Sequence, residues 1–192
     1  MRQKSSFFAK NQIPKLTIAL WLIGVMFTSG LVSQCSRDIP EIPRAGERAP
    51  DFSLKSLTGE RVSLKDLTRK GLVLVNFWAT WCAPCKAEVP ILNQICQKYW
   101  SNGLSVVGIS VEEPKDVVAS FCRRNQVQYT ILLDPEGDIA KRYGLIAVPT
   151  TVILNQQGIV LFQKSGIINE QMTTALETML EKTGPTLQTE SN

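Results

Sequence analysis

Two cysteines three residues apart, Cys82 and Cys85, stand where the pattern of the chain changes abruptly. Upstream, Leu72 to Phe77 is an apolar run of the length of a buried strand; downstream, Val89, Leu92, Ile95, Cys96 and Tyr99 recur at helical spacing. A strand running into a helix, with the thiol pair at the junction, is the unit around which the rest must be arranged. The first turn of a helix has unpaired N–H groups and a partial positive charge that favours an anion. That charge is worth about 0.3–1 kcal/mol, or up to about 2 when partly buried, and one pKa unit is ~1.36 kcal/mol, so a Cys82 thiol falls by about one unit from ~8.5. Cys82 is then a substantial fraction thiolate at neutral pH. Cys85, one turn further in, is expected to be less exposed and near enough to bridge to Cys82.

Such a pair serves as a structural staple, as half of a metal site or as a redox couple. A bridge closing so short a loop restricts the unfolded chain by only about 2 kcal/mol, against ~4.7 for a hundred-residue loop, so it makes a poor staple. A zinc site needs four ligands, and the chain has no histidine and no second closely spaced cysteine pair. The redox reading is the one these comparisons favour.

At 192 residues the chain has room for one domain and a leader. Its net charge of +4 is carried by Arg2, Lys4, Lys10 and Lys15, since no acid precedes Asp38. From residue 36 onward basic and acidic residues balance, which leaves no basic footprint for nucleic acid. The four cations precede an apolar run from Leu16 to Val32, whose length at ~1.5 Å per residue covers about 25 Å of a ~30 Å hydrocarbon core. This is read as an uncleaved membrane anchor, ahead of a cleaved signal or a lipidated Cys35; Gln34 stands where a lipidation site normally has a small residue. All three export the domain, and the positive flank keeps the N-terminus in the cytoplasm. The expected organisation is a targeting segment over 1–35, a proline-rich tether over 36–46, a folded domain over 47–182 and a polar tail over 183–192.

Within the domain, alternation over Asp51 to Leu64 with Thr58 and Gly59 at its centre predicts a hairpin. The strand and helix of the cysteine junction follow, the helix running from Ala83 to about Trp100. Further buried strands are expected over Leu104 to Ile109 and Tyr129 to Leu133, with a helix over Lys115 to Arg124 between them. A short helix leads to Tyr143, then Thr150 to Leu154 and Ile159 to Phe162 form a second hairpin, and Asn169 caps a last amphipathic helix ending near Lys182.

The run Phe77, Trp78, Ala79, Thr80, Trp81, Cys82, Ala83, Pro84, Cys85, Lys86, followed by Glu88 and Pro90, closely resembles the thioredoxin superfamily. More narrowly it resembles the membrane-anchored TlpA/ResA-type thiol-disulfide oxidoreductases, on the branch shared with the peroxiredoxins. The opening Ala49, Pro50, Asp51, Phe52 hairpin, the long segment between the cysteines and Pro149, and the Val148, Pro149, Thr150 stretch before a strand carry the same resemblance. What it implies is an α/β thioredoxin-like fold: a central mixed sheet flanked by helices, an N-terminal β-hairpin, and an insertion between the CxxC helix and the strand after a cis Pro149. The cis bond would lie beside the disulfide and present backbone groups of Val148 to an extended substrate.

Asn76 stands where thioredoxins carry a buried strand carboxylate, and an amide does not titrate. ResA-type proteins have a glutamate shortly after the second cysteine, and Glu88 matches it, so the resemblance makes Glu88 the pKa modulator and proton acceptor; the competing reading is a solvated first-turn glutamate. Trp81 is expected to shield the disulfide and contact substrate, Trp78 to be core, and Asn76 to be a satisfied core amide. Lys86 reads equally as a thiolate partner or a solvated lysine; Cys96 and Cys122 read as buried fillers, with a second disulfide left open.

The activity implied is an extracytoplasmic reductase of protein disulfides, cycling through Cys82 and Cys85 with no cofactor beyond that disulfide. It would be recharged by a membrane electron donor of the CcdA/DsbD kind, and one substrate of the family is apocytochrome c. The rivals are a peroxiredoxin-like peroxidase, which sets a threonine three residues before its cysteine where this chain has Ala79, and a Sco-type copper protein, which needs CxxxC and a histidine.

Overall fold

All seven residues of the strand β3 (Leu72–Trp78) are buried, which is why it reads as a continuous apolar run rather than an alternating one. In the computed structural model, which describes residues 43–183, β3 is a central strand of a seven-stranded mixed sheet. Its Leu72, Leu74 and Trp78 point into one layer, with Val89, Leu92 and Ile95 of the helix α2 (Ala83–Tyr99). Its Val73, Val75 and Phe77 point into the other, with Tyr143 and Phe52. Asn76 is the one polar residue of the strand, and period two puts it on the α2 face.

The remaining strands are β1 (Ser53–Ser56), β2 (Arg61–Ser63), β4 (Leu104–Val111), β5 (Thr130–Asp134), β6 (Thr150–Leu154) and β7 (Val160–Ser165), in the order β2-β1-β5-β4-β3-β6-β7. β3, β4 and β5 are parallel, joined by crossovers through α2 and α3 (Lys115–Arg124); the hairpins β1–β2 and β6–β7 add antiparallel strands at the two edges. This is the mixed sheet flanked by helices that the family resemblance implied. The stretch between α2 and the Pro149 strand holds β4, α3, β5 and a short helix α4 (Asp138–Arg142).

The N-terminal hairpin is shorter than expected. Leu64 does not continue β2 but opens the helix α1 (Leu64–Thr68), because Ser63 caps it: the Ser63 hydroxyl accepts the Asp66 N–H at 3.2 Å. Before the hairpin, Gly46 and Ala49 donate to the carbonyls of Val160 and Gly158 at 2.8 and 2.9 Å, so the chain lies along the start of β7. At the end of β3 away from the cysteines, Gly71 and Gly103 touch so closely that a Cβ on Gly71 would meet the Gly103 carbonyl oxygen at 2.0 Å. The last helix, α5 (Glu170–Thr183), is capped by Asn169, which accepts the Met172 N–H at 3.2 Å, and it buries Met172, Leu176 and Leu180.

Among the described residues no helix is long and apolar enough to cross a membrane. The expected anchor, residues 16–32, lies outside them, as do most of the tether and residues 184–192.

Two features of the sheet place the site. β3 and β4 end together, with Trp78 opposite Ser110, so the loops after them are neighbours. β6 runs the other way and starts with Thr150 opposite Phe77, which delivers Val148 and Pro149 to the same end of the sheet.

Candidate active site

Beyond Trp78 the chain turns through Ala79, Thr80 and Trp81, and α2 begins at Ala83 with Cys82 as its N-cap. The Cys82 backbone is extended, at φ −82° and ψ 105°, and its carbonyl accepts the Lys86 N–H at 3.1 Å. The Cys82 Sγ occupies the place of a capping oxygen and accepts the Cys85 N–H at 3.2 Å. That bond satisfies one orphan donor of the first turn; on the thiolate it becomes charge-assisted and about twice as strong. Cys82 and Cys85 form a disulfide, with Cα atoms 5.2 Å apart.

The Val148–Pro149 peptide is cis, as the resemblance implied. The Cys82 Sγ lies 3.6 Å from the Val148 carbonyl oxygen. A disulfide sulfur carries no proton, so this is a plain contact here; in the dithiol form the Cys82 thiol has that carbonyl as an acceptor. Pro149 is buried and Val148 half-buried, while Trp81 is 74 % exposed and Ala83, Pro84 and Lys86 are exposed beside it. Both cysteines are buried, at 4 % and 3 % exposure, so the expected contrast between an open Cys82 and a covered Cys85 does not exist in the disulfide form. The Cys82 sulfur lies between Cys85 of its own helix and the Val148 carbonyl.

Glu88 follows Cys85 by three residues on the same helix face and is fully buried. Its Oε1 accepts the Ile168 N–H at 2.6 Å, and its Oε2 accepts the Asn76 side-chain amide at 3.1 Å. The same amide donates to the Thr151 hydroxyl at 3.0 Å. Burial pushes the Glu88 carboxyl above the ordinary carboxylate range, opposed by the Ile168 and Asn76 bonds and by the charge of Lys164. The solvated reading of Glu88 is therefore overturned, and Asn76 is a satisfied core amide whose partner is Glu88.

A groove of about 270 Å³ runs beside the disulfide, lined by Trp81, Ala140, Leu145, Ala147 and Val148, with Glu112 and Lys141 at its walls. Ile146, between the lining residues Leu145 and Ala147, is 90 % exposed. Glu113, 6 % exposed, reaches back to the loop before the cysteines: its carboxylate accepts both the Thr80 backbone N–H, at 2.7 Å, and the Thr80 hydroxyl.

The family described as AhpC/TSA matches residues 45–163. The chain belongs to the AhpC/TSA family. Among AhpC/TSA relatives, the thiol-disulfide oxidoreductase ResA of Halalkalibacterium halodurans is 34% identical over 172 residues, covering 90% of this chain and 93% of that protein. The crystal structure of a thiol:disulfide interchange protein of the DsbE kind from Chlorobium tepidum superposes with a TM-score of 0.68 at 31% identity, over 72% of this chain and 99% of that one. StoA from Bacillus subtilis gives a TM-score of 0.58 at 27% identity, over 66% and 96%. This AhpC/TSA member is a thiol-disulfide oxidoreductase of the ResA and DsbE type, with Cys82 and Cys85 as its CxxC pair.

The structure brings Trp81, Cys82, Cys85, Val148 and Pro149 together at one end of the AhpC/TSA domain, and sets Glu88 one helical turn beyond Cys85, bound to Asn76 and Ile168. It leaves Lys86 exposed at the rim. Trp78 is core, tilted against Phe121 with ring centroids 5.0 Å apart. Cys96 and Cys122 are both free: Cys96 half-buried, and Cys122 buried with its thiol pushed up to about 11 by burial and then by the Glu113 charge. Sequence reasoning missed Thr151, Ile168, Lys164 and Glu113. Thr151 and Lys164 become legible only with strand pairing, which sets Asn76, Thr151 and Lys164 in one row across β3, β6 and β7.

Proposed function

We propose that this protein is an anchored, extracytoplasmic reductase of disulfides in partner proteins. The observation that carries the reading is the double placement of the Cys82 sulfur, as N-cap acceptor of α2 and beside the Val148 carbonyl. The Cys82 thiolate attacks one sulfur of the partner's disulfide; a Cys82–partner bond forms and the partner's second sulfur leaves as thiolate and takes up a proton. Glu88, ionised, takes the proton from the Cys85 thiol. The Cys85 thiolate then attacks the Cys82 sulfur, closes the Cys82–Cys85 bridge and expels the partner's first sulfur as a thiolate, which takes up a proton from solvent while Glu88 gives up its own. Two electrons pass to the partner, and the disulfide itself is the only cofactor the cycle uses.

Trp81, Val148 and Pro149 form the face on which an extended segment of the partner lies. The apolar lining of the adjoining groove suits the residues that flank the partner's cysteine. Residues 16–32 tether the domain to the membrane, and a membrane dithiol donor of the CcdA/DsbD kind returns the bridge to the dithiol. Apocytochrome c before haem attachment, an exported protein with two closely spaced cysteines, has the chemistry of a partner for this cycle.

A peroxidase would need hydroxyl help at the residue three before its nucleophile, and Ala79 offers none. Copper retention of the Sco kind would need a histidine, which the chain lacks.

The test is to express the full chain as Cys85→Ser and isolate its mixed disulfides from membranes. An exported protein bearing paired cysteines is expected, released by reductant and absent when Cys82 is also replaced. Adducts of small thiols alone would sink the idea of a dedicated protein substrate.

A further inference from the structure

The loop before Cys82 is held from outside its own helix. β3 and β4 run parallel with Trp78 opposite Ser110, so Thr80 and the residues after Val111 face each other where the strands end. There the chain turns left-handed at Glu112, φ 56°, a conformation non-glycine residues adopt seldom. The turn sends two successive carboxylates in different directions. The Glu112 side chain lies over Gly137, where a Cβ would come within 2.6 Å of its Oε1, and forms part of the groove wall. The Glu113 carboxylate turns inward and accepts the Thr80 N–H and the Thr80 hydroxyl together.

Both bonds fall on one residue, and they restrict different freedoms. The backbone bond fixes the peptide plane between Ala79 and Thr80. The hydroxyl bond locks χ1 of a side chain already stiff by β-branching. Cys82 N in turn donates to the Ala79 carbonyl at 3.2 Å, so the anchored segment determines where Cys82 starts the helix. A nucleophile displaced by a fraction of an ångström from its line of attack loses rate more readily than affinity.

We propose that Glu113 is a positioning residue for the attacking thiol: through Thr80 it clamps the loop that sets the Cys82 sulfur between the α2 terminus and Val148. The inference rests on the reading of Cys82 as the nucleophile. It adds that the adjacent Glu112 and Glu113 tie the groove wall to the dithiol loop.

The test uses the full-length protein in detergent, prereduced and mixed with excess insulin as disulfide probe, with the thiols counted after acid quench and alkylation. Glu113→Gln is expected to lower the limiting rate about tenfold, the worth of one charge-assisted hydrogen bond, while half-saturation stays within about twofold. Thr80→Ser keeps both donors and is expected to match wild type; Thr80→Val loses the hydroxyl and falls part of the way. Combining Glu113→Gln with Thr80→Val should cost less than the product of the two losses, because both act on one clamp. A lower melting temperature with unchanged rates in Glu113→Gln, or losses that simply multiply, would overturn the inference. If Glu113→Gln does not fold, the Thr80→Ser and Thr80→Val pair decides: equal rates in the two overturn it. A Cys82→Ser control that still reacts at wild-type rate would instead refute the nucleophile reading, whatever Glu113 does.

Discussion

Replacing Cys82 by serine is expected to lower protein-disulfide reduction to below about a thousandth of the wild-type rate, because no other described thiol combines an N-cap position with a carbonyl beside a cis proline. Cys85→Ser should fail differently. Its Cys82 still attacks, so one equivalent of partner is captured as a mixed disulfide and turnover stops there. The distinction separates a redox pair from a staple. A staple would lose stability in both variants and show no captured partner in either. Stopped-flow reduction of a fluorescent disulfide substrate, with the adduct weighed by mass spectrometry, reads both outcomes. Equal behaviour of the two variants would contradict the assigned roles.

The second large effect is expected at Glu88. As proton acceptor for Cys85 it should be worth about a hundredfold in the resolving step, so Glu88→Gln should accumulate the mixed disulfide rather than fail to form it. The amide is nearly isosteric, and Asn76 can turn its carbonyl toward the new N–H₂ while the Ile168 N–H keeps an oxygen to bond. Burial holds the Glu88 carboxyl above its ordinary range, against the Ile168 and Asn76 bonds and the Lys164 charge. As an acceptor Glu88 must be ionised, so wild-type resolution should slow as the pH falls through that raised pKa, and the Gln variant should lack this limb. Stability runs in the opposite sense. A raised folded-state pKa means the native protein binds the proton more tightly than the unfolded chain, so Glu88's contribution is fully present below the ordinary carboxylate pKa of about 4.5 and is lost as pH rises through the folded value. Urea unfolding from about pH 4 to about pH 8 should therefore show wild type losing stability relative to Glu88→Gln as the pH increases. A difference independent of pH would mean that Glu88 does not titrate from a buried state.

The central strand and helix were legible because their signals are local and strong: β3 is apolar throughout, α2 keeps one apolar face over 17 residues, and Asn169 and Gly103 punctuate as their chemistry requires. The short helix α1 was lost because Val62 and Leu64 alternate like a strand, although Ser63 and Asp66 three residues on carry a capping signature. The Cys82 cover was not legible. Helix position says that Cys85 points inward, but the carbonyl beside the Cys82 sulfur belongs to Val148, 66 residues away. Glu113 escaped for the same reason, since nothing near it announces that β3 and β4 end side by side. Glu88 and Asn76 were both picked out, yet as separate residues, because only the folded sheet and α2 join them.

The most direct measurement is the reduction potential of the Cys82–Cys85 couple, taken by equilibration with glutathione and thioredoxin redox buffers. A partner-reducing dithiol should lie in the thioredoxin range, near or below about −270 mV. A value near about −120 mV, the territory of DsbA-like oxidants, would contradict a reductase and reverse the direction of the whole cycle.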